Sequence, residues 1–128
     1  MAGKIIADTL ETGAGADIAT SYVVNGSAKA WASIDGDGSG TPVFDSFNTA
    51  SITDSDTGIY ILNLTNSMSN DDYTVSGGTS GNGGYACVYT TNYSSHTTSA
   101  TGVKVVRTDN AARVDTGYAN MIIHGDLA

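Results

Sequence analysis

Short runs of β-branched and aromatic residues, each ended by Gly, Asn, Asp or Ser, recur along most of the chain. "AKAWASI" (28–34), "VFDSF" (43–47), "ASITD" (50–54), "GIYILNL" (58–64), "YTVSG" (73–77), "YACVYT" (85–90), "VKVVR" (103–107) and "YANMIIHG" (118–125) read as eight strands. No 3.6-residue apolar period is sustained, and Gly, Ser, Thr and Asn interrupt nearly every window. The pattern predicts an all-β fold of about eight strands, a sandwich or a barrel, taken as an antiparallel, jelly-roll-like β-sandwich.

Period-two counting assigns faces. In "GIYILNL", Tyr60, Leu62 and Leu64 share one face, and Ile59, Ile61 and Asn63 the other. In "YANMIIHG", Ala119, Met121 and Ile123 oppose Tyr118, Asn120, Ile122 and His124. Both faces of these strands carry apolar residues, so the outer face of one sheet is expected to meet another subunit, making the chain a homo-oligomer.

Residues 1–27 differ in kind and are expected to form an extended docking arm ahead of a sandwich domain at 28–128. Two apolar patches, "KIIADTL" and "IATSYVV", flank "ETGAGAD" and have no partner pattern of their own. They read as docking strands, with Ile5, Ile6, Leu10, Ile18, Tyr22, Val23 and Val24 as the contact residues.

Composition narrows the partners. Five Lys and Arg stand against thirteen Asp and Glu among 128 residues, a net charge of −8 that repels phosphate backbones and anionic lipid. Neither nucleic-acid binding nor membrane insertion is expected. Cys87 is the only cysteine, so no intrachain disulfide forms, and it reads as a small buried hydrophobe. The N-terminal stretch lacks the apolar run of a signal peptide, so synthesis in the cytoplasm is expected.

Chemical motifs are sparse. "IDGDGSGTPVFDS" (34–46) places Asp35, Asp37, Ser39 and Gly40 at positions one, three, five and six of a calcium loop. Position twelve is Ser46 rather than Glu, position eight is Pro42, and no helix flanks the loop. A turn between strands explains the same residues. "GNGGYA" (81–86) matches a dinucleotide fingerprint only in letters, because a β-branched run follows it where a helix is needed. His96 and His124 lack metal-ligand spacing, no Ser lies in a nucleophile elbow, and Asp71 and Asp72 point apart on an extended chain. No catalytic residue, cofactor or metal is assigned. Tyr85, Tyr89, Asn92, Tyr93 and His96 are the remaining candidates, as a stacking and hydrogen-bonding surface for ligand or subunit contact.

One stretch carries a resemblance. Lys29-Ala30-Trp31, Asp35-Gly36, Asp45-Ser46-Phe47-Asn48, Ser51-Ile52-Thr53-Asp54, Gly58-Ile59-Tyr60, and Met68 with Tyr73 follow one another with fixed gaps, and "TGYANMIIHG" closes the series. The series resembles a domain of tailed-phage virion proteins, the tail-fibre-like β-sandwich family, over about residues 27–125. Ile34 stands where the family has an aromatic residue, and Ser69 where it often has proline. The resemblance implies a β-sandwich, trimerisation and a place on the virion exterior, against a major capsid protein or tail protein. It marks no ligand residues.

Residues 1–27 are too few for a fibre shaft even at roughly 3.4 Å per residue. Decoration or cementing of the capsid, or a short head fibre, is therefore the first expectation. The alternative is a receptor-binding tail-fibre tip whose polar loops "SGGTSGNGGY" and "TNYSSHTTSATG" contact a host surface glycan or protein.

Overall fold

A computed structural model describes residues 6–80 and 87–128, and from residue 95 the side chains of the second segment. Among the described residues the fold is all-β apart from one short helix. In order, its elements are β1 (Thr9–Glu11), β2 (Asp17–Ala19), α1 (Thr20–Gly26), β3 (Ala30–Ile34), β4 (Val43–Phe47) and β5 (Thr49–Asp56). They continue as β6 (Ile59–Leu64), β7 (Thr74–Thr79), β8 (Cys87–Thr97), β9 (Ala100–Arg107) and β10 (Ala119–His124). All eight strands expected from the alternation are present, and every strand pair is antiparallel.

Two four-stranded sheets, ordered β4-β3-β10-β7 and β5-β6-β9-β8, contribute to one apolar cluster. The first sheet supplies Ala30, Ala32, Ile34, Ala119, Met121 and Ile123; the second supplies Tyr60, Leu62, Leu64, Val103 and Val105. Tyr60, Leu62 and Leu64, and Ala119, Met121 and Ile123, are sets that period-two counting grouped on one face; the structure shows these faces to be the inward ones. Three alanines on the first sheet leave room for the bulk of Tyr60 and Leu62 on the second.

Strand order departs from a jelly roll. Three pairings join consecutive strands, β3 with β4, β5 with β6 and β8 with β9, whereas a Greek key runs three consecutive strands side by side and returns a fourth beside the first. Two of these pairings are closed by two-residue turns, Thr57-Gly58 and Thr98-Ser99, while β3 and β4 are joined by the longer 35–42 turn.

Chain crossings between sheets depend on side-chain hydrogen bonds. Asn48 alone separates β4 from β5, with φ of 53°. Its Nδ2 donates to the carbonyls of Lys29 (3.0 Å) and Asn66 (3.1 Å), and its Oδ1 accepts from the Asn66 amide at 2.8 Å. Asn tolerates a left-handed backbone better than most residues and here stitches three segments together.

Two parts of the expected layout change. Residues 91–97, read as polar loop, continue β8 into its hairpin with β9, because alternating Thr, Tyr, Ser and His suits a pleated strand once a neighbour supplies the ladder. The arm, expected to be extended, forms the β1-β2 hairpin and then α1 over 20–26, where "IATSYVV" was expected as a docking strand. A helix closes its backbone hydrogen bonds within itself, so Val23 and Val24 adopt it where no further strand is offered for pairing.

Candidate docking surfaces

Thr20 ties the hairpin to the helix. Its amide donates to the Asp8 carbonyl at 2.9 Å, and its hydroxyl to the Ala7 carbonyl at 2.8 Å. At the other end of α1, the Lys29 ammonium donates to the carbonyls of Val24 and Ser27 and to the Ser27 hydroxyl. A cation on the last carbonyls of a helix neutralises its negative end and satisfies orphan acceptors. The Lys29 amide donates to the Ile123 carbonyl at 2.8 Å, so one residue joins arm to sheet.

Despite this order the arm has no core. No residue of α1 is buried, and Ile6, Leu10, Ile18, Tyr22, Val23 and Val24 are all exposed, Ile6 at 82% and Tyr22 at 72%. Six of the seven residues expected to dock are thus placed on one continuous, solvent-facing segment. Ile5 lies outside the described residues.

A second apolar surface lies on the outer face of β4-β3-β10-β7. Trp31 pairs in register with Phe47 on one side and Ile122 on the other, so the three form a row across the sheet. Phe47 and Ile122 are exposed and Trp31 half-buried. Further along, the rings of Phe44 and Tyr118 lie 5.0 Å apart, tilted by 30°, both exposed. Asp45, Ser33 and Asn120 form the polar row between. Trp31, Phe44 and Phe47 were not among the expected contact residues; the alternation of Trp31 with buried Ala30 and Ala32 is the signal that places it outward.

The tyrosine-rich surface is only partly within reach. Tyr85 lies outside the described residues, and Tyr89, Asn92 and Tyr93 are described in backbone alone, with Tyr89 opposite Val105 and Asn92 opposite Gly102 in the ladder. His96 is described fully and is committed internally. Its Nε2 is 2.9 Å from the Asp71 carbonyl, its Nδ1 3.0 Å from the Thr101 hydroxyl, and its ring lies 4.2 Å from that of Tyr73. A carbonyl only accepts, so Nε2 donates, and in the neutral ring Nδ1 accepts from Thr101. His96 therefore secures the segment before β7 to the β8-β9 hairpin through both ring nitrogens.

The loop 35–42 is a turn that joins β3 to β4 and reaches the second sheet at Asp54. Asp35 receives the Gly38 amide on Oδ1 at 3.1 Å and donates its own amide to the Pro42 carbonyl at 2.8 Å. Thr41, buried and with φ of 49°, reaches Asp54 of β5 at 3.2 Å. The Asp37 carboxyl is held above the usual carboxylate range, first by a hydrogen bond with Asp35, then by desolvation and by the nearby charges of Asp35 and Asp115.

Among the described residues, no helix is long and apolar enough to cross a membrane. No family model, no curated protein and no solved structure matches the chain.

Proposed function

We propose that the chain is a non-enzymatic structural protein of a tailed-phage particle, a trimer of β-sandwiches held on the virion exterior by its N-terminal arm, as capsid decoration, cement or a short head fibre. The observation that carries this reading is an arm ordered by its own hydrogen bonds yet burying none of α1 and leaving six apolar side chains in solvent. Such a segment gains by docking, because burial of one large apolar side chain stabilises by roughly 1.5–3 kcal/mol. The phage assignment rests on the Lys29-to-Asp54 resemblance, and trimerisation gains support from the outer row of Phe47, Trp31 and Ile122, a ready subunit contact.

Truncation tests the docking role. Purified particles incubated with protein lacking residues 1–24 are expected to carry none of it, whereas full occupancy would overturn the arm's role. Trp31→Ser with Phe47→Ser is expected to turn the trimer into monomers in sedimentation velocity. Imaging of intact particles separates shell-wide from tail-tip placement. The receptor-binding reading is weakened by the internal bonds of His96, and it now rests on Tyr85, Tyr89, Asn92 and Tyr93.

A further inference from the structure

Lys29 holds the arm from the sandwich side. Its backbone belongs to the first sheet, the amide donating to the Ile123 carbonyl at 2.8 Å and the carbonyl accepting from Asn48 Nδ2 at 3.0 Å. The residue is only 7% exposed, and its side chain turns back to the end of α1. An ammonium has three protons to donate and accepts none. Here they meet the Val24 carbonyl, the Ser27 carbonyl at 3.1 Å and the Ser27 hydroxyl at 2.9 Å. Among the described residues the ion pairs are Arg107 with Asp109 and Arg113 with Asp56, so no carboxylate shares this buried cation.

The helix has little of its own to hold it. Its seven residues are fewer than the roughly 12–15 that an isolated helix needs in water. Its sequence, TSYVVNG, contains none of the strong helix formers, and Val23 and Val24 favour strands. No side chain caps its first turn, no acidic residue stands there, and no residue of it is buried. Thr20 fastens its start to Ala7 and Asp8, and Lys29 with Ser27 fastens its end. Propensity, capping and packing thus leave the helix dependent on a side chain that the sandwich supplies.

We propose that residues 20–26 are a conformational switch with Lys29 as its lock. They are helical while the ammonium holds the Val24 and Ser27 carbonyls, and become an extended segment, free to pair as a strand, once it lets go. The release step rests on the docking role proposed above and adds how the arm changes shape to perform it. The extended form is the one that the β-branched run favours when a partner strand supplies the ladder. A half-released arm would leave a buried ammonium without acceptors and is disfavoured, so the segment is held in one form or the other.

Hydrogen exchange of the full chain reads the lock directly. Lys29→Met keeps the apolar stem and removes the charge. It is expected to speed exchange of the amides of residues 24–27 at least about tenfold, with Met121 and Ile123 in β10 unchanged. Ser27→Ala, at an exposed position, removes one acceptor and is expected to speed the same amides about threefold. Wild-type exchange at 24–27 in Lys29→Met would overturn the lock. Where β10 loosens as well in that variant, Ser27→Ala decides, and wild-type exchange there would overturn it.

Particles test the release. Ser21→Glu with Asn25→Lys adds an i,i+4 ion pair and better helix formers while keeping every apolar residue of the arm. This variant is expected to attach about fivefold more weakly than the unaltered chain. Undiminished attachment by it, with attachment lost on truncation of residues 1–24, would leave the docking arm standing and remove the switch. Full occupancy by truncated protein would remove the docking role itself and with it the release step, while exchange in Lys29→Met still decides the lock.

Discussion

The hydroxyl of Tyr60, with no solvent exposure, lies 3.0 Å from Oδ1 of Asp115 and also 3.0 Å from the Gly36 carbonyl. The same Asp115 oxygen accepts the Gly58 amide at 2.6 Å. Three segments distant in sequence, the 35–42 turn, the β5-β6 turn and the irregular segment leading to β10, are thereby closed around one phenol at one end of the core.

Tyr60→Phe leaves this arrangement short of its buried donor and is expected to cost about 1–3 kcal/mol, read as a lowered melting temperature. Asp115→Ala is expected to cost more, because the Gly58 amide loses its acceptor too. An unchanged melting temperature for Tyr60→Phe would show that the hydroxyl is not part of the closure.

Burial, reinforced by the Asp115 charge, raises the Tyr60 pKa well above its ordinary 10.0. A group whose pKa is raised on folding contributes stability that is complete below the unfolded value and is lost as pH climbs through the folded one. Unfolding is therefore expected as pH rises beyond about 10, with a shallower alkaline loss in Tyr60→Phe, measured by denaturant midpoints across pH 8–12. Tyr73, raised by burial in the same direction, adds to the alkaline loss that remains in this variant.

Gly58 has φ of +64°, and a Cβ there would lie 2.7 Å from the Val105 carbonyl and 2.8 Å from the Val114 backbone. Backbone atoms cannot swing aside. Gly58→Ala is expected to destabilise by about 3 kcal/mol, whereas Gly13→Ala, which meets nothing within 4 Å, should be nearly silent. Equal melting temperatures for the two variants would contradict this packing.

Asp37 provides a test in which the substitution stabilises. Its raised pKa means that the folded state holds the proton more tightly, so stability is complete below the ordinary 3.8 and falls as pH rises through the folded value. Asp37→Asn is expected to raise the melting temperature modestly at pH 7 and to have no effect at pH 2. A destabilised variant at pH 7 would instead indicate that the carboxylate is needed in its charged form, as a cation site in the 35–40 turn requires.

His96 is expected to matter for stability rather than recognition. His96→Ala removes contacts to Asp71, Thr101 and Tyr73 and is expected to cost about 2 kcal/mol, with binding of the folded variant to host cells or a glycan array unchanged. Deleting residues 1–26 should cost the two-sheet unit only about 1 kcal/mol, since no residue of α1 is buried and the chief loss is the Val24 acceptor of the Lys29 ammonium.

The sequence by itself determined the eight strands and which side chains share a face. Side chains alternate with a period of two whatever the neighbours are, so Tyr60, Leu62 and Leu64, or Ala119, Met121 and Ile123, fall together locally, while the packing of the two sheets decided that these faces are the buried ones. The sequence also located the Asp35-to-Pro42 turn and the arm's apolar residues, because turn formers and unpartnered apolar patches are local features. Tertiary structure alone decided which strands pair, since backbone hydrogen bonds carry no residue code. Both the consecutive hairpins and the placement of β10 between β3 and β7 are pairings that no local pattern marks. It also decided that Val23 and Val24 lie in a helix, and that His96 turns inward to Thr101 and Asp71. In each case a backbone or side-chain polar group takes the partner that the folded chain places beside it, and that neighbour is distant in sequence or, for the helix, a missing strand.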